Sequence, residues 1–155
     1  MNTYYELIKH LKTVFEEDVN VNTVTTEDRL EVIDSYKKNV YPLVHLNVID
    51  SPYLDGGLAC TRFTVEVICV DIRDINKQEQ DDKFWLNDNR HDNLNTTRAV
   101  LKKAENKLRK DHLNTDITLA GASGAEALVL VFSNLLDGWQ QTFLIDVPDE
   151  LTTVC

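Results

Sequence analysis

The four histidines are the first residues to weigh for chemistry, because an imidazole changes charge near neutral pH and is a common metal ligand. His10 and His112 fall on predicted helices, His45 falls on a predicted strand, and His91 lies in an acidic loop. No two of them have the spacing of a helical zinc motif. We therefore expect all four to be surface or edge residues rather than metal ligands or general bases.

The sequence also lacks the spacing of a catalytic nucleophile or a phosphate-binding loop. Gly121-Ala122-Ser123-Gly124 does not fit Gly-x-Ser-x-Gly and follows no clear strand, so we interpret it as a turn. Gly56-Gly57 is too short to cradle phosphates, and no dinucleotide or Walker pattern occurs. We predict that the chain is not an enzyme and takes no cofactor. A small enzyme whose site forms only between subunits is the alternative.

One acidic stretch has oxygen-bearing side chains at alternating positions, loosely like a calcium loop. It reads Asn87-Asp88-Asn89-Arg90-His91-Asp92. The glycine and the final glutamate of a calcium loop are missing, and an arginine interrupts the run. We therefore predict no metal site here, and interpret the stretch as a solvated loop or one that pairs with a neighbouring subunit.

The three cysteines do not form a zinc or redox motif, since no Cys-x-x-Cys or Cys/His spacing is present. Cys60 and Cys69 fall on one predicted strand, and their odd separation places them on opposite faces, so they cannot pair with each other. The third, Cys155, is the last residue printed. We expect free thiols, in keeping with a cytoplasmic setting.

The length and net charge of the chain limit the number of domains and the classes of partner to consider. The chain of 155 residues has the length of one domain, which we place over residues 1–155. Acidic residues outnumber basic ones by 26 to 16, and the resulting net charge of −10 repels phosphate backbones. No apolar run approaches the roughly 20 residues that span a bilayer, and the N-terminus does not resemble a secretion signal. We expect a cytoplasmic protein that does not contact a membrane.

One concentration of basic residues departs from this acidic balance and lies on the second predicted helix. Its members are Lys102, Lys103, Lys107, Arg109 and Lys110. The same helix carries Glu105 and Asp111, which neutralise part of that charge. Nucleic-acid binding at this patch is a disfavoured alternative.

Hydrophobic periodicity predicts an α+β fold. Apolar residues at helical spacing follow Thr3, a suitable N-cap with Glu6 three residues on, so we expect a helix at the start of the chain. The other predicted elements are strands at 19–24, 29–36, 41–49 and 59–73, a helix at 95–113, and a closing pair of strands at 125–132 and 139–147. This order favours an antiparallel or mixed sheet of about five to six strands with two helices packed on one face.

A long polar excursion at about 74–93 interrupts the domain, and loops of this length are usually functional or disordered. Phe84 and Trp85 stand in it among charged residues that include Asp81, Asp82 and Arg90. Aromatic residues within a polar rim are typical of interface hot spots, so we predict that these residues contact a neighbouring subunit. The alternative is that the two rings fold back onto their own core.

The longest predicted strand changes character along one face. Arg62, Thr64 and Glu66 are polar, whereas Ile68 and Val70 farther along are apolar. We expect this face to be wet at its polar end and covered at the other. The polar end is a second candidate subunit contact, through edge-to-edge strand pairing in a ring.

The order of an N-terminal helix, a strand-rich middle, a crossing helix and a closing hairpin resembles the head–tail joining and tail-terminator proteins of tailed bacteriophages. Met1-Asn2-Thr3-Tyr4-Tyr5-Glu6-Leu7-Ile8 and Tyr41-Pro42-Leu43-Val44-His45 are also similar to stretches of small virion proteins of crAss-like gut phages. The likeness in element order covers nearly the whole chain, whereas the likeness in sequence is confined to these stretches.

The resemblance implies a structural virion protein that is assembled in the host cytoplasm and located in the neck or tail. Such a subunit forms a ring of six or twelve copies between portal and tail, stacked on other neck and tail proteins. DNA passes through the channel without specific binding, and an acidic wall suits that passage because it does not hold phosphates. These families have no catalytic residues to carry over. An intracellular protein-binding adaptor that acts as a monomer or dimer is the alternative function.

Overall fold

The computed structural model describes residues 3–26, 29, 40–54, 59–74, 83–85, 88–110, 116–132 and 134–149. They form two helices and a six-stranded mixed sheet, which confirms the predicted α+β class. The elements are α1 (Thr3–Glu16), β1 (Thr23–Thr26), β2 (Leu43–Asp50), β3 (Cys60–Ile72), α2 (Arg90–Arg109), β4 (Thr118–Ala122), β5 (Glu126–Val131) and β6 (Leu136–Pro148).

The sheet is built around the antiparallel pair of its two longest strands, β3 and β6, which are in register from Cys60 opposite Pro148 to Ile72 opposite Leu136. Strand β2 lies on the other side of β3, and β1 continues the sheet by pairing in parallel with β2. Strands β4 and β5 both pair with β6, β4 along its C-terminal half and β5 along its N-terminal half. The outer strands of the described sheet are therefore β1 on one side and β4 with β5 on the other.

Both helices cover the same face of the sheet, as predicted. Helix α1 presents its apolar stripe inward because its apolar residues recur at helical spacing. Side chains alternate across a strand, so every second residue of β3 and β6 meets the helices. The centre of this core contains Leu7, Leu11 and Phe15 from α1, Val65, Val67 and Cys69 from β3, Leu101 and Leu108 from α2, and Phe143 and Ile145 from β6.

The opposite face of the sheet carries a smaller apolar cluster at one end and polar side chains at the other. Leu43, Ile68, Val70 and Leu136 form the buried cluster. The polar end of β3, from Arg62 to Glu66, has side chains that are only half-buried on this face. The predicted change of character along β3 is therefore confirmed. We call this face of the sheet, opposite to the one that α1 and α2 cover, the open face.

Four elements differ clearly from the prediction. Strand β1 runs over Thr23–Thr26 instead of 19–24. Helix α2 begins at Arg90, five residues before the predicted start. Thr118–Ala122, which the sequence predicts as loop, is strand β4, and β6 begins at Leu136 rather than Trp139. β4 is rich in small residues and shows no alternation, so it pairs because β6 offers it a free edge and not because of its own pattern.

Other predictions have mixed outcomes. The predicted strand at 29–36 lies outside the described residues except for Arg29, which has no regular structure. The prediction of free thiols is wrong for Cys60, which is disulfide-bonded, and holds for the buried Cys69. Within the described residues no helix is long and apolar enough to cross a membrane.

Candidate interaction surfaces

A buried ion pair joins Arg73, the residue that follows β3, to Asp137 on β6 near the start of α2. The Arg73 guanidinium donates from Nε to Asp137 Oδ2 and from Nη2 to Asp137 Oδ1, both at 2.7 Å. The two side chains are only 7% and 0% exposed. Asp137 Oδ1 also accepts the Leu130 N–H at 3.0 Å, and Asp88 Oδ2 lies 3.9 Å from Arg73 Nη1. This pair therefore ties together β3, β5, β6 and the residues that precede α2.

Side-chain amides fasten the first turns of α2 to the same end of the sheet. Asn89 Nδ2 and Asn93 Nδ2 both donate to the carbonyl oxygen of Ile72, at 3.2 and 2.9 Å. Trp139 Nε1 on β6 donates to the Leu94 carbonyl at 2.8 Å. Because Asn89 bonds the sheet, its side chain does not cap the helix it precedes. The start of α2 is thus held to the sheet by side chains from both sides.

Phe84, Trp85 and His91 form an exposed group beside this start of α2, which we call the aromatic cluster. The Phe84 ring lies edge-on to Trp85, with centroids 5.0 Å apart, and stacks with His91 at 5.9 Å. His91 Nε2–H donates to the Phe84 carbonyl at 3.1 Å, which ties the pair to the helix. Phe84 is 70% and Trp85 59% exposed. The two rings therefore do not fold back into the core of the described chain.

The charged residues predicted to surround these rings are only partly described. Asp81 and Asp82 lie outside the described residues. Arg90 is the first residue of α2, half-buried, and its backbone N–H donates to Asp88 Oδ1 at 3.2 Å. Asn89 Oδ1 accepts the backbone N–H of Asp74 at 2.7 Å. The oxygens of Asp88 and Asn89 thus bond protein donors, and no group of metal-binding side chains occurs among the described residues.

The polar end of β3 lies on the open face. Arg62 donates from Nε and Nη2 to the carboxylate of Asp146 on β6, at 2.7 and 2.9 Å. That hydrogen bond raises the pKa of Arg62, with burial opposing and the charge of Asp146 assisting. Glu66 Oε2 accepts Gln140 Nε2 at 2.8 Å, and Thr64 lies between the two pairs, half-buried. The three residues therefore share one surface across β3 and β6.

The predicted edge-to-edge pairing through this end of β3 is wrong. Strand β3 pairs with β6 along its whole length and with β2 from Thr64 to Val70, so its backbone groups there are already bonded. At Arg62 the carbonyl oxygen accepts Ser51 Oγ–H at 2.7 Å instead. Arg62, Thr64 and Glu66 are left with their side chains as the means of contacting a neighbour.

The outer strand β5 is the edge that the sequence did not single out. Val129 and Leu130 on β5, and Leu135 in the turn before β6, are large apolar side chains that stand exposed. Leu130 and Leu135 have positive φ angles of 52° and 53°, so the hairpin turns sharply here. An exposed apolar edge strand tends to pair with another chain. Its sequence alone looks like an inner strand, because Ala127–Val131 is a continuous apolar run.

A groove lies on the helix-covered side of the sheet, between α1 and the outer strand β1. Its volume is about 230 Å³. The lining residues are Ile8 and Lys12 from α1, Val24, Thr25 and Thr26 from β1, and Leu46 from β2. Lys12 is exposed and its Nζ is 3.7 Å from Glu16 Oε1. We call this feature the α1–β1 groove.

The prediction for the histidines is wrong for two of them. His10 lies on the inner side of α1 and is buried, and His45 on β2 is buried with Nδ1 hydrogen-bonded to Thr25 Oγ1 at 2.9 Å. His91 is half-buried in the aromatic cluster, and His112 lies outside the described residues. A period-2 reading of β2 places His45 on the same face as the buried Leu43, which is the signal that the prediction missed.

The basic residues of α2 are largely paired with carboxylates. Lys102 and Arg109 both contact Glu105, at 3.3 and 2.9 Å, and Lys107 contacts Glu17 of α1 at 3.2 Å. The hydrogen bond from Arg109, followed by that from Lys102, holds the pKa of Glu105 below its usual value despite its burial. Neutralised lysines and arginines attract phosphates weakly, so these pairs do not favour nucleic-acid binding.

No known protein-family model matches this chain, and no curated protein shows significant sequence similarity to it.

Proposed function

We propose that this chain is a structural virion protein that works by assembly, as a ring-forming subunit in the neck of a tailed bacteriophage. In this role it serves as a head–tail connector or tail terminator and joins portal to tail around the DNA channel. It contacts further copies of itself and other neck and tail proteins, and performs no catalysis. The assembly part of the proposal rests on geometry, and the phage part rests on the resemblance in element order.

The aromatic cluster is the observation that carries the assembly part. Phe84 and Trp85 present 70% and 59% of their surface to solvent. Aromatic side chains bury about 150–250 Å² each. Covering these two would remove about 300 Å² from water, a gross gain of about 7 kcal/mol at about 25 cal/mol per Å². Such rings are typical hot spots of protein interfaces.

That gain does not hold two proteins together unaided, because association costs an estimated 4–15 kcal/mol in lost freedom of motion. A stable contact also buries about 800 Å² on each partner, more than two rings supply. The apolar side chains of β5, Val129 and Leu130, add exposed surface at one edge of the sheet. On the open face, Arg62, Thr64 and Glu66 add polar groups for a rim. An extended contact with several neighbours fits these features together.

The attachment of the aromatic cluster to the sheet supports the same role. A binding surface that is rigid before contact loses less conformational freedom on association. Asn89 and Asn93 fasten the start of α2 to the sheet, and the buried pair of Arg73 and Asp137 lies at the same place. The cluster is thus presented from an ordered support, as a building block of a regular ring requires.

Gold labelling of phage particles tests the phage part. An antibody raised against the purified chain is applied to tailed particles from the host that carries its gene, and the label is located by electron microscopy. We expect label at the head–tail junction. Label on no part of the particle, with the chain free in the host cytoplasm, would contradict the proposal and favour the adaptor. The same exposed aromatic cluster would then be the adaptor's binding surface.

A further inference from the structure

We propose that the aromatic cluster of one copy docks into the α1–β1 groove of the next copy, with Trp85 as the inserted side chain. This inference rests on the proposed function, since it names the contact through which the ring forms. It states which surface meets which, so it can fail while the chain still assembles.

The size of the groove favours a side chain as its occupant. Pockets for small molecules measure about 300–1,000 Å³. The α1–β1 groove, at about 230 Å³, is smaller than that range. Ile8, Val24 and Leu46 supply apolar walls, and the groove opens beside β1, the outer strand of the described sheet. A single large apolar side chain that enters from outside matches both the volume and the lining.

One pair of opposite charges also matches across the two surfaces. The exposed carboxylate beside the cluster is that of Asp92 in the first turn of α2, whereas the Asp88 side chain is 14% exposed and lies 3.9 Å from Arg73. The groove is lined by one basic residue, Lys12. Lys9, three residues before it on α1, is not part of the lining and lies 3.8 Å from Glu6. Two copies with a net charge of −10 repel each other, so a contact between copies needs local basic residues on one side. The groove provides one, Lys12.

Lys12 can contact a docked side chain at little cost, because its present ion pair with Glu16 is weak. Its present pairing with Glu16, at 3.7 Å and with both side chains more than half exposed, is of the kind that contributes 0–1 kcal/mol. An ammonium group placed over an indole ring gains a cation–π attraction, which grows as water is removed. Lys12 on the groove wall would lie against an inserted Trp85 in this way.

The two surfaces belong to different parts of the molecule. The start of α2 is fastened to the end of β3 and to β6, through Ile72 and Trp139. The groove lies at β1, three strands away from β6 in the order β1-β2-β3-β6. At about 4.8 Å a strand, the separation is about 14 Å. A contact between unlike surfaces is heterologous, and such contacts close into rings when the rotation between copies allows it.

Complementation of two broken variants tests the contact. The cluster variant carries Phe84→Ala and Trp85→Ala, and the groove variant carries Ile8→Gln and Lys12→Glu. We expect each variant alone to be monomeric by native mass spectrometry. An equimolar mixture should give a one-to-one heterodimer, because one intact cluster and one intact groove remain and a third copy has nowhere to bind. Loss of the Trp85 anchor should weaken the contact at least about 30-fold.

A charge reversal sharpens the test at lower risk to the fold. Lys12→Glu alone should weaken association about tenfold, and Asp92→Lys in the same chain should restore it, since the pair meets between copies. Two matched controls should keep the wild-type mass. Tyr53→Ala removes an aromatic ring elsewhere that, at 90%, is more exposed than either cluster ring, and Lys103→Glu makes the same charge change on the exposed side of α2.

The outcomes separate this inference from the proposed function. If the wild type forms a closed oligomer but the mixed variants stay monomeric, the chain assembles through other surfaces and the cluster–groove contact is overturned. The same holds if the cluster variant alone keeps the wild-type mass. If the wild type itself is monomeric under all conditions, both the contact and the proposed ring are overturned. Circular dichroism of each variant verifies that it is folded.

Discussion

Two arginine–aspartate pairs lie at opposite ends of the β3–β6 pair of strands, and their surroundings differ. Arg62 is on β3 and Arg73 directly follows it, while both aspartates are on β6. Both have two short hydrogen bonds from one guanidinium to one carboxylate. Arg73 and Asp137 are 7% and 0% exposed, whereas Arg62 and Asp146 are 29% and 12% exposed. Asp137 also accepts a backbone N–H from Leu130. The first pair is buried where β3, β5, β6 and the residues before α2 meet. The second pair links β3 to β6 on the open face.

The difference indicates that one pair stabilises the fold and that the other is available to contact a neighbouring molecule. A buried charge that loses its partner is strongly unfavourable, so the Arg73–Asp137 pair must stay formed while the chain is folded. It lies where α2 begins and where the aromatic cluster is carried. The Arg62–Asp146 pair is reachable from solvent, so its side chains are available to a neighbouring molecule. The end of the sheet near α2 is thus fixed by a buried ion pair beside the aromatic cluster, and the opposite end leaves polar side chains accessible.

The largest expected effect follows from breaking the buried pair. Asp137→Ala leaves the Arg73 guanidinium without its carboxylate and the Leu130 N–H without its acceptor. We expect a loss of about 3–5 kcal/mol in the free energy of unfolding, measured by urea denaturation. Hydrogen exchange at Leu130 should also become faster. A loss below about 1 kcal/mol would show that the pair is not the support described here.

A smaller effect is expected from breaking the open-face pair. Arg62→Ala removes both hydrogen bonds to Asp146, whose side chain is 12% exposed compared with 0% for Asp137. We expect a loss of about 1–2 kcal/mol in the same assay, because exposure screens the remaining charge. If Arg62→Ala cost as much as Asp137→Ala, the distinction between support and contact would collapse. Thr64→Ala, on the same strand and face, is the matched control for a simple loss of side-chain atoms.

The smallest effect, and one of opposite sign, is expected at Asp71. Burial raises the pKa of this carboxyl, the Ile72 N–H opposes the rise, and the charge of Asp137 adds to it. A carboxyl with a raised pKa in the folded state favours folding at low pH, and that contribution is lost as pH rises through the folded pKa. Asp71→Asn should therefore raise the melting temperature at pH 7 and change it little at pH 3. An unchanged or lower melting temperature at pH 7 would contradict this.

The sequence predicts those parts of the fold in which a periodic pattern coincides with one buried face. Helix α1 and strand β3 are of this kind, since Leu7 and Leu11 recur at helical spacing and Val65 and Val67 alternate along a strand. β4 has no such pattern, and its pairing depends on the edge that β6 offers. The start predicted for α2, at residue 95, is too late because the Asn89 side chain bonds the sheet instead of capping the helix.

The candidate surfaces were predictable only in part. Phe84 and Trp85 stand out in the sequence because aromatic residues are rare in so polar a stretch. The ion pair that supports them does not, because Arg73 and Asp137 are 64 residues apart and neither belongs to a motif. The α1–β1 groove depends in the same way on the packing of a helix against an outer strand. Contacts between distant segments are set by topology, which local patterns do not report.

Native mass spectrometry of the wild-type chain, over a range of protein and salt concentrations, tests the central claim that this protein works by assembly. We predict a closed oligomer of six or twelve copies that becomes more populated as protein concentration rises. Added salt should stabilise it up to moderate ionic strength, since copies with a net charge of −10 repel each other. A mass that stays that of one chain at every concentration and salt level would contradict the claim.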